Sequence, residues 1–420
     1  MIPRALPWST LPIPAQANLL DRPAPAGGRI LPQLDALRGI AILAVFVQHL
    51  GDRFGSLWEG GARALGPAAP WVLTALHHAW WGVDLFFVLS GFSLSLGFLS
   101  AFDAGGPPPD ARTFLIRRAA RILPGFFAAL AVVIALRPEV ARAPGFAAAL
   151  TAHAALLQGY LSPGGIVLIG AAWSLTTEAH FYILLLLIAR PLLARRAYLL
   201  GLGMVALSWA ARAALHVAFV EPGVGGGLFE LTQRRLIVSR LDQFVLGMLV
   251  ACAYVDLQRA GLGARAARVA PVALGAAGAA LVVAFRLEGE VFLQHDGFWA
   301  YPLMSLATAA LVLAACLAGE RTTRWIAPAP LRLLGVVSYG IFLLHQLLLG
   351  LAGALVPGEP TWWRLGFTAA LGLAASALAG AASWVLVEQP FMTWISRLQR
   401  ARHAARRDCP PGAEVEQSGA

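Results

Sequence analysis

From Leu34 to Pro390 the chain alternates long apolar runs with short polar joints. The runs lie near 36–54, 76–100, 115–136, 171–190, 197–219, 241–256, 269–285, 300–318, 333–356 and 365–387. Each approaches the roughly 20 residues that a helix needs to cross a bilayer. The pattern predicts an all-α polytopic bundle of about ten transmembrane helices. A weaker stretch, 145–161, is short and contains His153 and Gln158. It is expected as one partial or re-entrant helix, a form tolerated at membrane depth only where protein or a water-filled cavity satisfies it. The first 30 residues carry six prolines and no apolar run. Residues 1–33 therefore read as a flexible cytoplasmic arm, not a signal peptide, which needs an apolar core. Residues 34–395 form the transmembrane domain, and 396–420 an Arg-rich cytoplasmic tail expected to be disordered.

Composition agrees with that picture. Of 420 residues, 58% are hydrophobic and 13% charged, about half the usual charged share. The mean hydropathy is +0.69. A secreted soluble domain, a disordered scaffold and a soluble nucleic-acid binder are excluded. The net charge of +10 does not point to nucleic acid, because the basic residues sit between apolar runs. All 32 of them are Arg. With Ala and Gly so abundant this reads as a coding bias, so the choice of Arg over Lys carries no weight. Arginine placement does carry weight, since cytoplasmic joints collect basic residues. With the N-terminus inside and 145–161 not crossing, 22 arginines fall in the arm, inner joints and tail, and nine fall outside. A multi-pass protein of the inner (plasma) membrane with both termini cytoplasmic is expected. Cys252, Cys316 and Cys409 have no metal or redox spacing and read as filler.

Ionisable groups inside apolar runs are costly and tend to mark function. Arg38 and His49 are 11 residues apart in the first run, which puts them on one helix face about 16 Å apart. The bland reading makes Arg38 an interfacial anchor and His49 a packing residue. Asp84 opens the second run, beside Trp80 and Trp81, which read as interfacial anchors. Asp84 is either solvated or paired with an arginine. Arg118 and Arg121 share a face at the start of the third helix and, with Arg117, are either positive-inside anchors or a phosphate site. Trp173, Glu178, His180 and Tyr182 cluster in the first turns of the fourth long run. Glu178 needs a partner or a cavity, and its two-residue spacing keeps it off the face of His180. Arg240 and Asp242 start a later helix, His345 lies inside another, and Glu388 before Pro390 reads as a helix-end pairing residue. His49, Asp84, Glu178, Arg240, Asp242 and His345 are expected to converge on the outer half, and Arg38, Arg118 and Arg121 on the inner side.

The ordered segments LDALRGIAILAVFVQH (34–49), GVDLFFVLSGF (82–92), RRAARILP (117–124), WSLTTEAHFY (173–182), RLDQFVLG (240–247), SYGIFLLHQ (338–346) and VEQPF (387–391) resemble the acyltransferase 3 family of integral membrane O-acyltransferases. That family is known for acetylating O-antigen and exopolysaccharide. Its Arg-x10-His signature falls on Arg38 and His49, its Arg-x-x-Arg on Arg118 and Arg121, and its WSLxxExxFY segment on Trp173, Glu178 and Tyr182, with departures at Thr177 and Ala179. Some members append a soluble esterase-like domain. Only about 25 residues follow the last span, so none is expected. The resemblance implies transfer of an acyl group, usually acetyl from acetyl-CoA, to a glycan hydroxyl outside the membrane, with no permanently bound cofactor and no metal. His49 would take the hydroxyl proton or carry the acyl group as an acyl-imidazole. Glu178 would orient His49 or bind the acceptor. Arg38, Arg118 and Arg121 would hold the phosphates of acyl-CoA or brace the channel, with Asp84, Trp173, Tyr182, Arg240, Asp242 and His345 supporting or binding the acceptor. The implied partners are acyl-CoA, a glycan and the bilayer, with no nucleic acid and the oligomeric state open. The rival class is a transporter of a glycan or lipid-linked intermediate. Such folds commonly show inverted repeats with broken helices, and no internal repeat is visible.

Overall fold

The computed structural model describes residues 31–107, 109–161, 166–220, 230–292 and 300–407. The expected arm up to Ile30 and the last residues from Asp408, Cys409 included, lie outside them. The helices are α1 (Pro32–Arg63), α2 (Ala69–His77), α3 (Trp81–Asp103), α4 (Ala111–Leu136), α5 (Pro138–Ala141), α6 (Phe146–Ala154), α7 (Trp173–Ala189) and α8 (Tyr198–Leu215). They continue with α9 (Leu241–Arg259), α10 (Gly263–Phe292), α11 (Ala300–Leu317), α12 (Glu320–Ile326), α13 (Ala329–Val336), α14 (Ser338–Ala354), α15 (Trp362–Ser383) and α16 (Gln389–Arg407). Among the described residues there is no strand. Nine stretches there are long and apolar enough to cross a membrane, and ten if α13 and α14, bent by 80°, count as one. The chain is a polytopic helical bundle. At the bend Ser338 donates its hydroxyl to the Gly335 carbonyl at 2.9 Å, satisfying a group that the broken helix would orphan.

Two ends can be told apart by the joints that close them. At the near end, Arg196 after α7 bonds Asp103 at the end of α3 (2.9 Å) and Asp256 of α9 (2.6 Å). The start of α1 lies at that end too, with Gln33 donating to Thr323 at 2.8 Å. At the far end the outgoing turns of α1 meet α14. Helix α1 has 32 residues, about 48 Å, so it outruns the apolar run 36–54 and breaks its helical geometry only at Phe54.

The segment 145–161 forms the nine-residue helix α6 and a short turn at Gln158–Tyr160. At about 13 Å α6 is too short to cross. Its polar residues fasten it to protein. His153 Nδ1 donates to the Ala149 carbonyl at 2.7 Å, and the Gln158 amide donates to the Ala172 carbonyl at 2.7 Å.

Two expectations are corrected. Trp81 is not an interfacial anchor: it is 8% exposed and donates its indole N–H to Thr308 at 2.7 Å. The stretch after Trp394 is not unstructured at first, because α16 runs to Arg407. Pro390, which reads as the end of the last span, does not end the helix: a π-helical turn at Trp384–Glu388 joins α15 to α16, and such a bulge re-sites the carbonyl that a proline would leave without its amide hydrogen. Arg117 then donates to Gln399 at 2.7 Å, docking α16 on α4.

The core centres on α3 against α9. Phe181 and Phe244 stack with ring centroids 4.0 Å apart, and Phe87 lies 4.7 Å from Phe244. Gly91 and Gly247 let the two backbones touch: a Cβ on either would run into the other helix's backbone, at Phe244 and Val88 respectively. Close small-residue contact is how membrane helices gain packing energy. Gly91→Leu is therefore expected to cost about 1–3 kcal/mol or more, read as a lower melting temperature in detergent and poorer recovery. A melting temperature equal to the parent's would show that α3 and α9 do not pack this way.

Candidate active site

Helix α3 separates two polar systems. Gly82 abuts Ala41, Ala44 and Val45 of α1. At 100° per residue Ser93 lies within about 20° of Gly82, Ser90 within about 80°, and Asp84 about 200° away. Ser90 and Ser93 therefore serve the α1 side, and Asp84 the α9 side.

On the α1 side near the start of that helix, the Arg38 guanidinium donates to Asp35 (3.2 Å) and to the Ser93 hydroxyl (3.0 Å). One turn along α3, Ser90 donates to Glu178 at 2.9 Å, and the same carboxylate oxygen accepts from Tyr182 at 2.7 Å. Residues 178 and 182 are four apart on α7, which stacks them on one face. Glu178 is in electrostatic reach of Arg38, and Arg118 of Tyr182. Arg121 pairs with Glu388 at 3.4 Å and lies 4.9 Å over the Trp384 ring. Tyr339, in electrostatic reach of Glu178, Glu388 and Arg121, completes the group and donates its hydroxyl to the Ile122 carbonyl at 2.9 Å. Arg118 lies over Phe114 at 5.9 Å, and its Nε has no partner among the described residues. Trp173 packs edge-on against Phe87 at 6.4 Å.

Farther along α1 a second group forms. His49 Nδ1 is 2.9 Å from the Asp52 carboxylate, and the Gln346 amide nitrogen is 3.0 and 3.1 Å from the two ring nitrogens. The His345 ring is 5.0 Å from that of His49. His345 is 0% exposed. Its Nδ1 faces the carbonyls of Phe342 (2.8 Å) and Ile341 (3.1 Å). Carbonyls only accept, so Nδ1 carries the hydrogen and Nε2 keeps a lone pair, which has no partner among the described residues. By the same logic a hydrogen on His49 Nδ1 directed at Asp52 leaves the Nε2 lone pair to accept from the Gln346 amide.

On the α9 side Asp84 pairs with Arg240 at 2.8 Å, at 2% and 1% side-chain exposure. Asp242 accepts from Trp209 (2.9 Å) and Ser305 (2.6 Å). Arg212 lies 4.0 Å from Asp242 and 4.5 Å over the Tyr301 ring, and donates to the Ser239 carbonyl. Two acids and two arginines thus neutralise each other where neither could stand alone in lipid.

The expected single outer cluster is therefore three groups. Glu178 makes no hydrogen bond with His49: it belongs with Arg38, Ser90 and Tyr182. Asp84, Arg240 and Asp242 lie across α3 in the closed network. His49 and His345 do meet. Sequence reading missed Asp52, although its i, i+3 spacing from His49 was visible, and gave no weight to Gln346, Ser90, Ser93 or Arg212. Among the described residues no three His, Cys, Asp or Glu side chains gather as metal ligands.

The acyltransferase domain model of the acyltransferase 3 family matches residues 31–381. The chain belongs to that family. The putative peptidoglycan O-acetyltransferase YrhL of Bacillus subtilis is 25% identical over 389 residues, covering 87% of this chain and 55% of that protein. The peptidoglycan O-acetyltransferase OatA of Listeria monocytogenes is 23% identical over 398 residues, covering 86% and 56%. A putative O-acetyltransferase of Staphylococcus aureus, SACOL0978, is 32% identical over 105 residues, 25% of this chain and 14% of its own. The chain spans about half the length of the first two. No solved structure matches it. In this family member Arg38 and His49 sit at successive levels of one face of α1, Arg118 and Arg121 lie on α4, and the buried quartet lies across α3.

Arg240→Ala would leave Asp84 buried without its guanidinium. The expected cost is about 3–5 kcal/mol, seen as a large drop in melting temperature. The paired change Asp84→Leu with Arg240→Met is expected to recover most of it. An Arg240→Ala protein that melts like the parent but is inactive would mark the pair as catalytic machinery instead of scaffold.

Proposed function

We propose that this acyltransferase 3 member is a membrane O-acyltransferase that moves an acyl group, acetyl by preference, from cytoplasmic acyl-CoA to a glycan hydroxyl on the outer side of the membrane. The observation that carries the reading is one helix face: Arg38 at the near end of α1, and His49, held by Asp52 and Gln346 beside His345, about 16 Å farther along it. The O-acetyltransferase names of the relatives in Bacillus and Listeria support the acetyl group and a glycan acceptor of the peptidoglycan kind. The near end is taken as cytoplasmic because the arginine-rich joints close it.

In this reading Arg118 and Arg38 receive the anionic phosphates, for which guanidinium forks are suited. Arg121, tied to Glu388, braces the entrance. The pantetheine arm extends along α1 and brings the thioester toward His49. The acceptor hydroxyl displaces the Gln346 amide from His49 Nε2 and attacks the thioester carbonyl carbon as that nitrogen takes its proton. The C–S bond breaks, and the proton passes from His49 to the leaving thiolate, giving an ester and CoA thiol. Asp52 holds the imidazole orientation and stabilises its protonated form. The His345 Nε2 lone pair is a second acceptor that orients the incoming hydroxyl. Glu178, fixed by Ser90 and Tyr182, positions Arg38.

Thiol release from acetyl-CoA by the purified full chain in nanodiscs, with muropeptides or a surface-glycan extract as acceptor, tests the reading. His49→Ala is expected to abolish transfer in a folded protein. Asp52→Asn is expected to lower kcat about tenfold, because an amide no longer balances the charge on the imidazole or fixes its orientation. Arg118→Ala is expected to raise the KM for acetyl-CoA by roughly 10- to 150-fold, for about 1.5–3 kcal/mol of charge-assisted hydrogen bonding, with little loss of stability. Turnover by His49→Ala close to the parent's would sink the mechanism.

The orientation has its own test. A reporter fused after Arg400 is expected to read cytoplasmic, and a periplasmic signal there would invert the donor and acceptor sides.

A further inference from the structure

The far end of the molecule carries a cavity of about 180 Å³ lined by Arg53, Phe54, Gly353, Gly358, Pro360 and Arg364. Two of its six lining residues are arginines. Arg53 follows His49 by four residues, so both lie on one face of α1 about 6 Å apart along the axis. The opposite wall is the end of α14 and the loop that leaves it. That wall is fixed. Arg364 donates to the Val356 carbonyl at 2.7 Å and to the carbonyls of Gly358 and Glu359, tying the loop to the start of α15. Gly358 takes a φ of +122°, a conformation that only glycine adopts readily. Gly350 leaves room for the Arg53 guanidinium: a Cβ there would stand 3.2 Å from its terminal nitrogen.

Charge in this cavity is one-sided. Asp52, the acid nearest in sequence, is taken by Gln48 (3.1 Å) and His49 (2.9 Å). Among the described residues neither Arg53 nor Arg364 makes an ion pair, Glu359 on the same loop included. The cavity is also small. Pockets for whole ligands run to about 300–1,000 Å³, so it fits one charged group of a larger molecule. It lies beyond His49 from Arg38 and Arg118, on the side away from the donor phosphates.

We propose that this cavity is an anion subsite for the acceptor: the glycan carries a carboxylate or phosphate about one sugar unit from the hydroxyl that is acylated, and Arg53 binds it. This rests on the acyl-transfer reading for the word acceptor, but the subsite itself is defined by binding. Arg364 forms its wall, and the Arg53 guanidinium supplies the free donors. The preference it confers is electrostatic and is weakened by salt, because the cavity is open to solvent.

The test is equilibrium binding to the full chain in phosphatidylcholine nanodiscs, with three probes: cellobiose, cellobiouronic acid and cellobiose 6-phosphate. One or both anionic sugars are expected to bind about tenfold or more tightly than cellobiose, and which one does so distinguishes carboxylate from phosphate. Arg53→Ala is expected to bring the three within about twofold, and Arg53→Lys to keep part of the preference. His49→Ala is expected to keep all of it. Equal binding of the three probes by the parent, or an undiminished preference in Arg53→Ala, overturns the proposal. So does a repeat in nanodiscs containing phosphatidylglycerol in which Arg53→Ala changes only the retention of that lipid, since Arg53 would then serve lipid headgroups. Intact anion preference without thiol release from acetyl-CoA would refute the acyl-transfer reading and leave the subsite standing. Transfer without anion preference would do the reverse.

Discussion

A charge at membrane depth has to find its counter-charge inside the protein, and in this molecule that requirement is met around α3. The helix offers α9 a face with Gly91 and Asp84, and α1 a face with Gly82, Ser90 and Ser93. The glycines bring three backbones together, which puts Arg240 within 2.8 Å of Asp84. Arg212 and Asp242 on that side complete the quartet, and Arg234 is also in electrostatic reach of Asp84. Because α3 is pinned from behind in this way, its serines present fixed partners to Arg38 and Glu178 in front.

The two sides differ in access. Side-chain exposure is 1–2% for Arg240 and Arg212, but 29% for Arg38 and for Arg121. The rear arginines have spent their charge on protein partners in a closed core. The front arginines keep an open edge while still anchored, Arg38 by Asp35 and Ser93, Arg121 by Glu388. An anchored guanidinium with an accessible edge binds an incoming anion without first losing side-chain freedom. That difference suits the rear group to a scaffold and the front group to the proposed donor site, although both look alike as charges inside apolar runs.

The spans were legible because apolar runs of crossing length are a one-dimensional signal. The ten runs recur in the structure, the ninth as the bent α13–α14 pair, and the weak 145–161 stretch is the short α6. Arg38 and His49 were legible as one face because helical periodicity needs only local spacing. What sequence could not give was which helix lies on each side of α3. Asp84 and His49 both read as groups in outer halves of apolar runs, and only packing shows them on opposite sides. Glu178 likewise looked available to His49 until Ser90 and Tyr182 claimed it. Trp81 read as an interface residue from its place at a helix start, yet Thr308, 227 positions away, draws it into the core. Asp52 was the miss that local reasoning would have prevented: it sits three residues past His49, at the place where an acid orients a base.

The heights of the polar groups are set by α1. It carries Asp35 and Arg38, then His49 and Asp52, then Arg53, along one continuous helix before the break at Phe54. A helix fixes axial separation at 1.5 Å and rotation at 100° per residue, so these groups hold their relative heights without help from loops. The break falls directly after Arg53, the last of them, at Phe54, which packs with Leu349 of α14. The groups on other helices are matched to this rail: Ser93 meets Arg38, and His345 and Gln346 meet His49. At the level of Arg53 comes the cavity under the Gly358 loop. One continuous run of helix thus orders Arg38, the histidine pair and Arg53 at successive heights between the two ends of the bundle. A donor and an acceptor entering from opposite ends would meet at the histidines, which is the geometry that group transfer across a membrane requires.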